Sequence, residues 1–153
     1  MSVELDDTDR AILRLLLADG DMGAAALGAA IGLSQPAAWR RVKRLEQLGV
    51  IVGRQLVLNR MKLGYEVVVF LGIKLAAKGR VGLEDFERAV SAIPEVQLVQ
   101  HVLGVYDYRI KVVARDLSDF ERILRRRIMT LPGVGDVESN VLLSEEKSSK
   151  PSI

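Results

Sequence analysis

Four cations within five residues, Arg40, Arg41, Lys43 and Arg44, make the densest positive cluster of the chain. Such a cluster suits neutralising phosphates, and Gln35, Arg40 and Gln47 carry donors of the kind that read base edges in a major groove. At helical spacing Ala38, Val42 and Leu45 share one face, while Pro36, Trp39, Arg40, Lys43 and Gln47 lie opposite, with Arg44 at the edge. Arg41 falls close to the apolar edge, so its stem packs while its guanidinium reaches out. Trp39 suits contact with a sugar or thymine methyl, or packing over the adjoining helix; packing is preferred. A lone RRVKR run is a solvated helix face. Here it follows a small-residue helix and a Gly-Leu-Ser turn, and its cations oppose the core stripe. That combination points to a helix-turn-helix whose DNA contacts are Ser34, Gln35, Pro36, Trp39, Arg40, Arg41, Lys43 and Arg44.

Other candidate chemistry is sparse. His101 is the single histidine, so no second imidazole can share a metal with it, and it reads as a hydrogen-bonded interface residue. Arg122, Arg125, Arg126 and Arg127 form a second basic cluster that spreads around its helix, as a solvated face or an inter-subunit ion-pair set does. Gly104-Val105-Tyr106-Asp107 reads as a tight hairpin, with Asp107 bonding its own backbone. No phosphate loop of the P-loop form is present, and no catalytic or metal-binding set is expected.

The elements that position these residues follow from the pattern. A first helix begins at Asp6, Asp7 or Thr8, carries Ile12, Leu13, Leu16 and Leu17, and stops at Gly20. Ala24–Ala30 is a second helix, and a third, capped by Ser34 with Pro36 in its first turn, runs to Leu48 before Gly49. Arg54–Leu58 is an extended link and residues 59–64 a turn. Beyond it come a strand over Glu66–Leu75, a helix over Leu83–Ile93 and a strand over Val96–Leu103. A strand over Tyr108–Val113, a helix from Ser118 with a capping box to Glu121, and a strand over Val134–Leu143 complete the order. This is β-α-β-β-α-β, the ferredoxin-like split order. The expected division is a helix-turn-helix over 1–53, a linker strand and turn over 54–64, a βαββαβ domain over 65–144 and a polar tail over 145–153. Val67 to Leu71 run apolar without alternation, so both faces of that strand want burial and a partner subunit is expected.

Composition is consistent with that α+β reading. Of 153 residues 49% are hydrophobic and 27% charged, and the net charge is only +2, so DNA binding rests on a local basic face. Cysteine is absent, which excludes disulfides and thiol chemistry. The longest apolar run, Val67–Ile73 with one glycine, is far short of the roughly 20 residues of a bilayer span. The stretch MSVELDDTDR is acidic where a signal peptide is basic then apolar, and a cytoplasmic protein without membrane contact is expected.

In LDDTDRAIL, IGLSQPAAWRRVKRLEQLGVI, LNRMKLG, HVLGVYDYRIK and LPGV, taken in order, the chain resembles Lrp/AsnC (leucine-responsive, feast/famine) transcriptional regulators over nearly its whole length. The resemblance implies a winged-type helix-turn-helix and a ligand-sensing βαββαβ domain that dimerises and assembles further, often to octamers. It implies a pseudo-palindromic double-stranded DNA operator and a small effector, commonly an amino acid, with no other cofactor. Gly104, Val105, Tyr106 and Asp107 match the turn that helps build the effector pocket. There Gly104 lets backbone N–H groups approach a carboxylate, Asp107 suits an ammonium group and Tyr106 supplies an apolar wall with a polar tip. The last strand departs from the family pattern, with Val137 and Ser139 where threonines are common; Ser139 keeps one hydroxyl for the effector. Gln35 stands where proline is common, which bears on operator preference. The alternative of another class is a sirohaem-type tetrapyrrole decarboxylase of the same architecture. It calls for a degraded basic helix and extra His or Arg around a porphyrin-sized pocket, whereas this basic helix is intact and His101 stands alone. A ligand-binding module that leaves DNA alone is discouraged by the same cations.

Overall fold

A computed structural model of the chain describes residues 2–76 and 79–146. The chain divides after Val57 into two compact units, each with its own apolar core. The linker expected over 54–64 is therefore shared between them, and from residue 147 the polar tail lies outside the described residues.

The first unit holds three helices: α1 (Asp7–Ala18), α2 (Ala24–Ile31) and α3 (Gln35–Gln47). Asp6 caps α1 by accepting the Asp9 N–H at 2.7 Å, and the Asp9 carboxylate returns the bond to the Asp6 N–H at 3.3 Å. This reciprocal box satisfies two donors that a helix start leaves unpaired. Gly32 ends α2 at φ 72°, a left-handed conformation that glycine adopts without steric penalty. Gly49 at φ 70° ends α3, while the Val50 N–H reaches the Leu45 carbonyl at 3.0 Å. Ile12, Leu13, Leu27, Ala38, Val42 and Leu45 form the core. Val52 and residues 54–59 form no regular structure, and the strand expected at Arg54–Leu58 pairs with nothing in the described chain.

The second unit orders its elements β1 (Val67–Leu75), α4 (Arg80–Ser91), β2 (Val96–His101), β3 (Tyr108–Ala114), α5 (Leu117–Ile123) and β4 (Val134–Val141). The sheet runs β2-β3-β1-β4, with every neighbouring pair antiparallel. Val69, Leu71, Ile73 and Leu75 of β1 pack with Phe86 and Val90 of α4 and Phe120 and Ile123 of α5. The α5 cap differs from expectation. Asp116, not Ser118, accepts from the third N–H of the helix, on Asp119, at 2.7 Å, and the Asp119 carboxylate takes the Arg115 N–H. The ionised acceptor makes the stronger bond to those donors. The helix then widens into a π-helical turn, Leu124–Ile128, which periodicity did not suggest.

The other face of the sheet is not bare. Val68 and Val113 pair across it and are buried, and Phe70 is half-buried beneath the Arg109 guanidinium, 5.3 Å from its ring centroid. Part of the burial that the apolar run demands is thus met within one chain.

Candidate functional site

The turn into α3 is built by close contact. The Leu33 N–H donates to the Gly28 carbonyl at 2.9 Å, and a Cβ on Gly28 would lie 2.4 Å from the Leu33 carbonyl oxygen. Only glycine lets the turn cross α2 this closely. Ser34 then caps α3, its Oγ accepting the Ala37 N–H at 3.3 Å. Gln35 and Pro36 occupy the exposed first turn.

The basic face divides in two. Arg40 is exposed and makes no hydrogen bond or ion pair among the described residues. Lys43 pairs with Glu46 at 2.8 Å in an exposed i,i+3 contact, its Nζ 5.9 Å from the Trp39 ring centroid. Trp39 is 54% exposed and lines a cavity with Ala24 and Leu27 of α2, so the ring borders the adjoining helix while much of it stays on the outward face. Arg41 and Arg44 behave otherwise. Asp9, 1% exposed, accepts from Arg41 at 3.1 Å and from Arg44 at 2.8 Å, and Asp6 also takes the Arg41 guanidinium. The hydrogen bond from Arg41 holds the Asp6 carboxyl below its ordinary value, and Asp6 in turn raises Arg41. Arg41 therefore does not reach outward as its place on the helix suggests. A buried carboxylate must be paired, and these two guanidiniums do it.

In the second unit a cavity of about 410 Å³ opens beside the β2–β3 turn. Gly104, Val105 and Tyr106 line it, with Phe70, Gly72, Val102, Arg109 and Asn140. Tyr106 lies over Gly72, where an added Cβ would stand 2.6 Å from the ring. Its hydroxyl donates to Glu138, which also accepts from Asn140 at 3.1 Å. These two donors hold the Glu138 carboxyl below its ordinary value, and Glu138 pushes the Tyr106 phenol up. Arg109 has no carboxylate partner among the described residues.

Asp107 and Ser139 are placed elsewhere. The Asp107 carboxylate accepts the Leu75 N–H at 2.8 Å, and its own N–H donates to the Ile73 carbonyl at 2.9 Å. The β1–β3 register ends at Ile73 and the β1–β4 register shifts between Ile73 and Leu75, which frees the donor that Asp107 takes. Asp107 thus bonds backbone, though a neighbouring strand's and not its own. Ser139 pairs with Leu71, on the helix-covered side shared with Val137; Glu138 and Asn140 are the residues of β4 that face Tyr106.

The remaining candidates fall into structural roles. His101 stacks on Tyr108 with centroids 4.8 Å apart, and burial together with a 2.5 Å bond to Glu87 pushes the Tyr108 phenol up. Arg122, Arg125 and Arg127 pair within the chain with Asp119, Glu121 and Glu95. Among the described residues no group of His, Asp and Glu could hold a metal ion, and no helix is long and apolar enough to cross a membrane.

The AsnC-type helix-turn-helix domain matches residues 5–46, and the Lrp/AsnC ligand binding domain matches residues 68–152. The chain belongs to the Lrp/AsnC family. It is similar to the proline dehydrogenase transcriptional activator of Rhizobium radiobacter, at 35% identity over 95% of this chain and 94% of that one. It is equally similar, at 35% over 95% and 89%, to the leucine-responsive regulatory protein of Escherichia coli K12. A crystal structure of a Neisseria meningitidis transcriptional regulator in complex with L-Met superposes with a TM-score of 0.90 at 27% identity, over 95% and 94% of the two chains. This Lrp/AsnC chain is accordingly a transcriptional regulator with a DNA-binding and a ligand-binding domain, and the decarboxylase alternative gains no support. Sequence reasoning overlooked Arg109, Glu138 and Asn140 at the cavity. Strand alternation from Gly72 outward through the paired strands is the signal that finds them. It also overlooked Arg60, whose guanidinium donates to the Tyr65 and Glu66 carbonyls at 2.7 and 2.8 Å and fastens the turn before β1.

Proposed function

We propose that α3 enters the major groove of a pseudo-palindromic operator, one helix from each protomer of a dimer. Arg40 and Lys43 meet phosphates, Gln35 and Trp39 lie beside bases, and Ser34 and Pro36 set the end of the helix that approaches them. The observation that carries this reading is Arg40, exposed opposite the Ala38–Val42–Leu45 stripe and without a partner among the described residues. The Lys43–Glu46 pair is exposed and weak, and phosphate displaces it. Genomic DNA as partner puts the chain in the cytoplasm.

The second unit takes a small effector, an amino acid, at the Tyr106 cavity. Arg109 offers its guanidinium to the carboxylate, and Phe70, Val102 and Val105 offer apolar wall. Gly104 supports this, because its φ is not positive and nothing lies within 4 Å of an added Cβ, so the hairpin itself does not require glycine there. The L-Met complex of the Neisseria relative supports the ligand class. Asp107 acts by holding the turn. Effector binding alters DNA affinity or assembly, up to octamers, by favouring one arrangement of protomers over another.

The experiment is a DNA-binding titration on the chain's own upstream region at two salt concentrations, with and without a panel of amino acids. Saturable, salt-sensitive binding that Arg40→Ala with Lys43→Ala abolishes, and that one amino acid shifts in the parent but not in Arg109→Gln, is expected. Binding that ignores both salt and these substitutions refutes the proposal.

A further inference from the structure

The four cations of α3 are not equivalent, and the difference lies in what stands behind them. Asp9 sits in the first turn of α1 with its carboxylate buried, one oxygen on Arg41 and the other on Arg44. Asp6, on the exposed side of the same turn, takes Arg41 a second time. α3 packs mainly on α2 and meets α1 over a narrower contact, so this two-pronged pairing is a main tie between α1 and the reading helix. Resting on the assignment of α3 to DNA, we propose that Asp9 and Asp6 withdraw Arg41 and Arg44 from phosphate contact and use them to set the rotation of α3 about its axis. Asp9 is then a positioning residue for DNA reading.

Three physical points support this division of labour. Removing both arginines from Asp9 would strand an ionised carboxylate away from water, so they cannot both move to phosphates without a heavy penalty. Arg41 reaches both Asp6 and Asp9 through one guanidinium nitrogen, Nη1, and Arg44 reaches the second Asp9 oxygen through its own Nη1, so charge-assisted bonds tie both side chains back to α1. Lys43, by contrast, is paired only with half-buried Glu46 on its own helix, and Arg40 with nothing among the described residues. The helix thus presents two cations with no tie to another helix and keeps two that are anchored to α1.

The salt dependence of binding to a random-sequence duplex counts phosphate contacts, each worth a slope of about 0.9 in log K against log salt. With the full-length chain, Arg40→Gln and Lys43→Gln are expected to flatten the slope by about that amount for each helix bound. Arg41→Gln and Arg44→Gln should leave the slope on random DNA unchanged, yet narrow the preference for the upstream fragment by tenfold or more. Asp9→Asn should do what no merely structural change does: release guanidiniums to phosphate, steepen the slope and tighten random-DNA binding. Should Asp9→Asn not fold, Asp6→Asn keeps an amide cap on α1 and should steepen the slope by less. A slope flattened by Arg44→Gln as much as by Arg40→Gln, or unmoved by both aspartate variants, overturns the proposal. If Arg40→Gln and Lys43→Gln leave the slope untouched, the assignment of α3 to DNA falls first.

Discussion

Gly28→Ala pits two calculable effects against each other. Alanine in a helix interior is favoured over glycine by about 1 kcal/mol, so propensity alone predicts stabilisation. Against this, the new Cβ would stand 2.4 Å from the Leu33 carbonyl oxygen and 3.2 Å from that of Ser34. Relief requires at least 0.6 Å of movement to reach the 3.0 Å floor of real Cβ contacts, and the obstacle is backbone on both counts. Overpacking of this kind costs about 1–3 kcal/mol, and an immovable carbonyl puts Gly28 at the upper end. The net expectation is a loss of about 1–2 kcal/mol, which for a unit of this size lowers the melting midpoint by about 4–16 °C. Trp39, the single tryptophan, lies in this unit and reports its unfolding by fluorescence during heating or urea titration. DNA affinity should fall with it, since Ser34 caps α3 from the displaced turn. A midpoint that rises with alanine would refute the close-crossing argument outright.

Three further outcomes are expected. Gly72→Ala places a Cβ 2.6 Å from the Tyr106 ring and must push it aside; calorimetry should find amino-acid binding weakened tenfold or more, and unchanged affinity would remove Tyr106 from the site. Tyr106→Phe deletes the first of the two donors holding the Glu138 carboxyl down, so its titration, followed by carbon NMR of the side chain, should move up toward the ordinary 4.5. Asp6 binds protons less readily folded than unfolded, because Arg41 depresses it. Its contribution is complete above the ordinary value of 3.8 and disappears as pH falls through the lower folded value; the melting midpoint of parent and Asp6→Asn should converge in that acid range.

Local chemistry made much of this legible in advance. The Gly-Leu-Ser turn, the Ser34 cap, the Ala38–Val42–Leu45 stripe and the β-α-β-β-α-β order were each readable from spacing, because capping and amphipathic periodicity act over a few residues. The site was less legible. Arg41 was placed by its angle on the helix, but where its guanidinium points depends on Asp6 and Asp9, more than thirty residues earlier in the chain. Tyr106 was visible in the turn, whereas Glu138 and Asn140 meet it only through the register of β1 with β4.

The sequence by itself determined the elements, their order and the presence of a basic reading helix, since those follow from side-chain type and period. Which cations remain free, which carboxylate an end-of-strand N–H captures, and which residues wall the cavity were decided by the tertiary structure. Charge pairing and strand register are set across space, between segments that nothing in the linear pattern ties together.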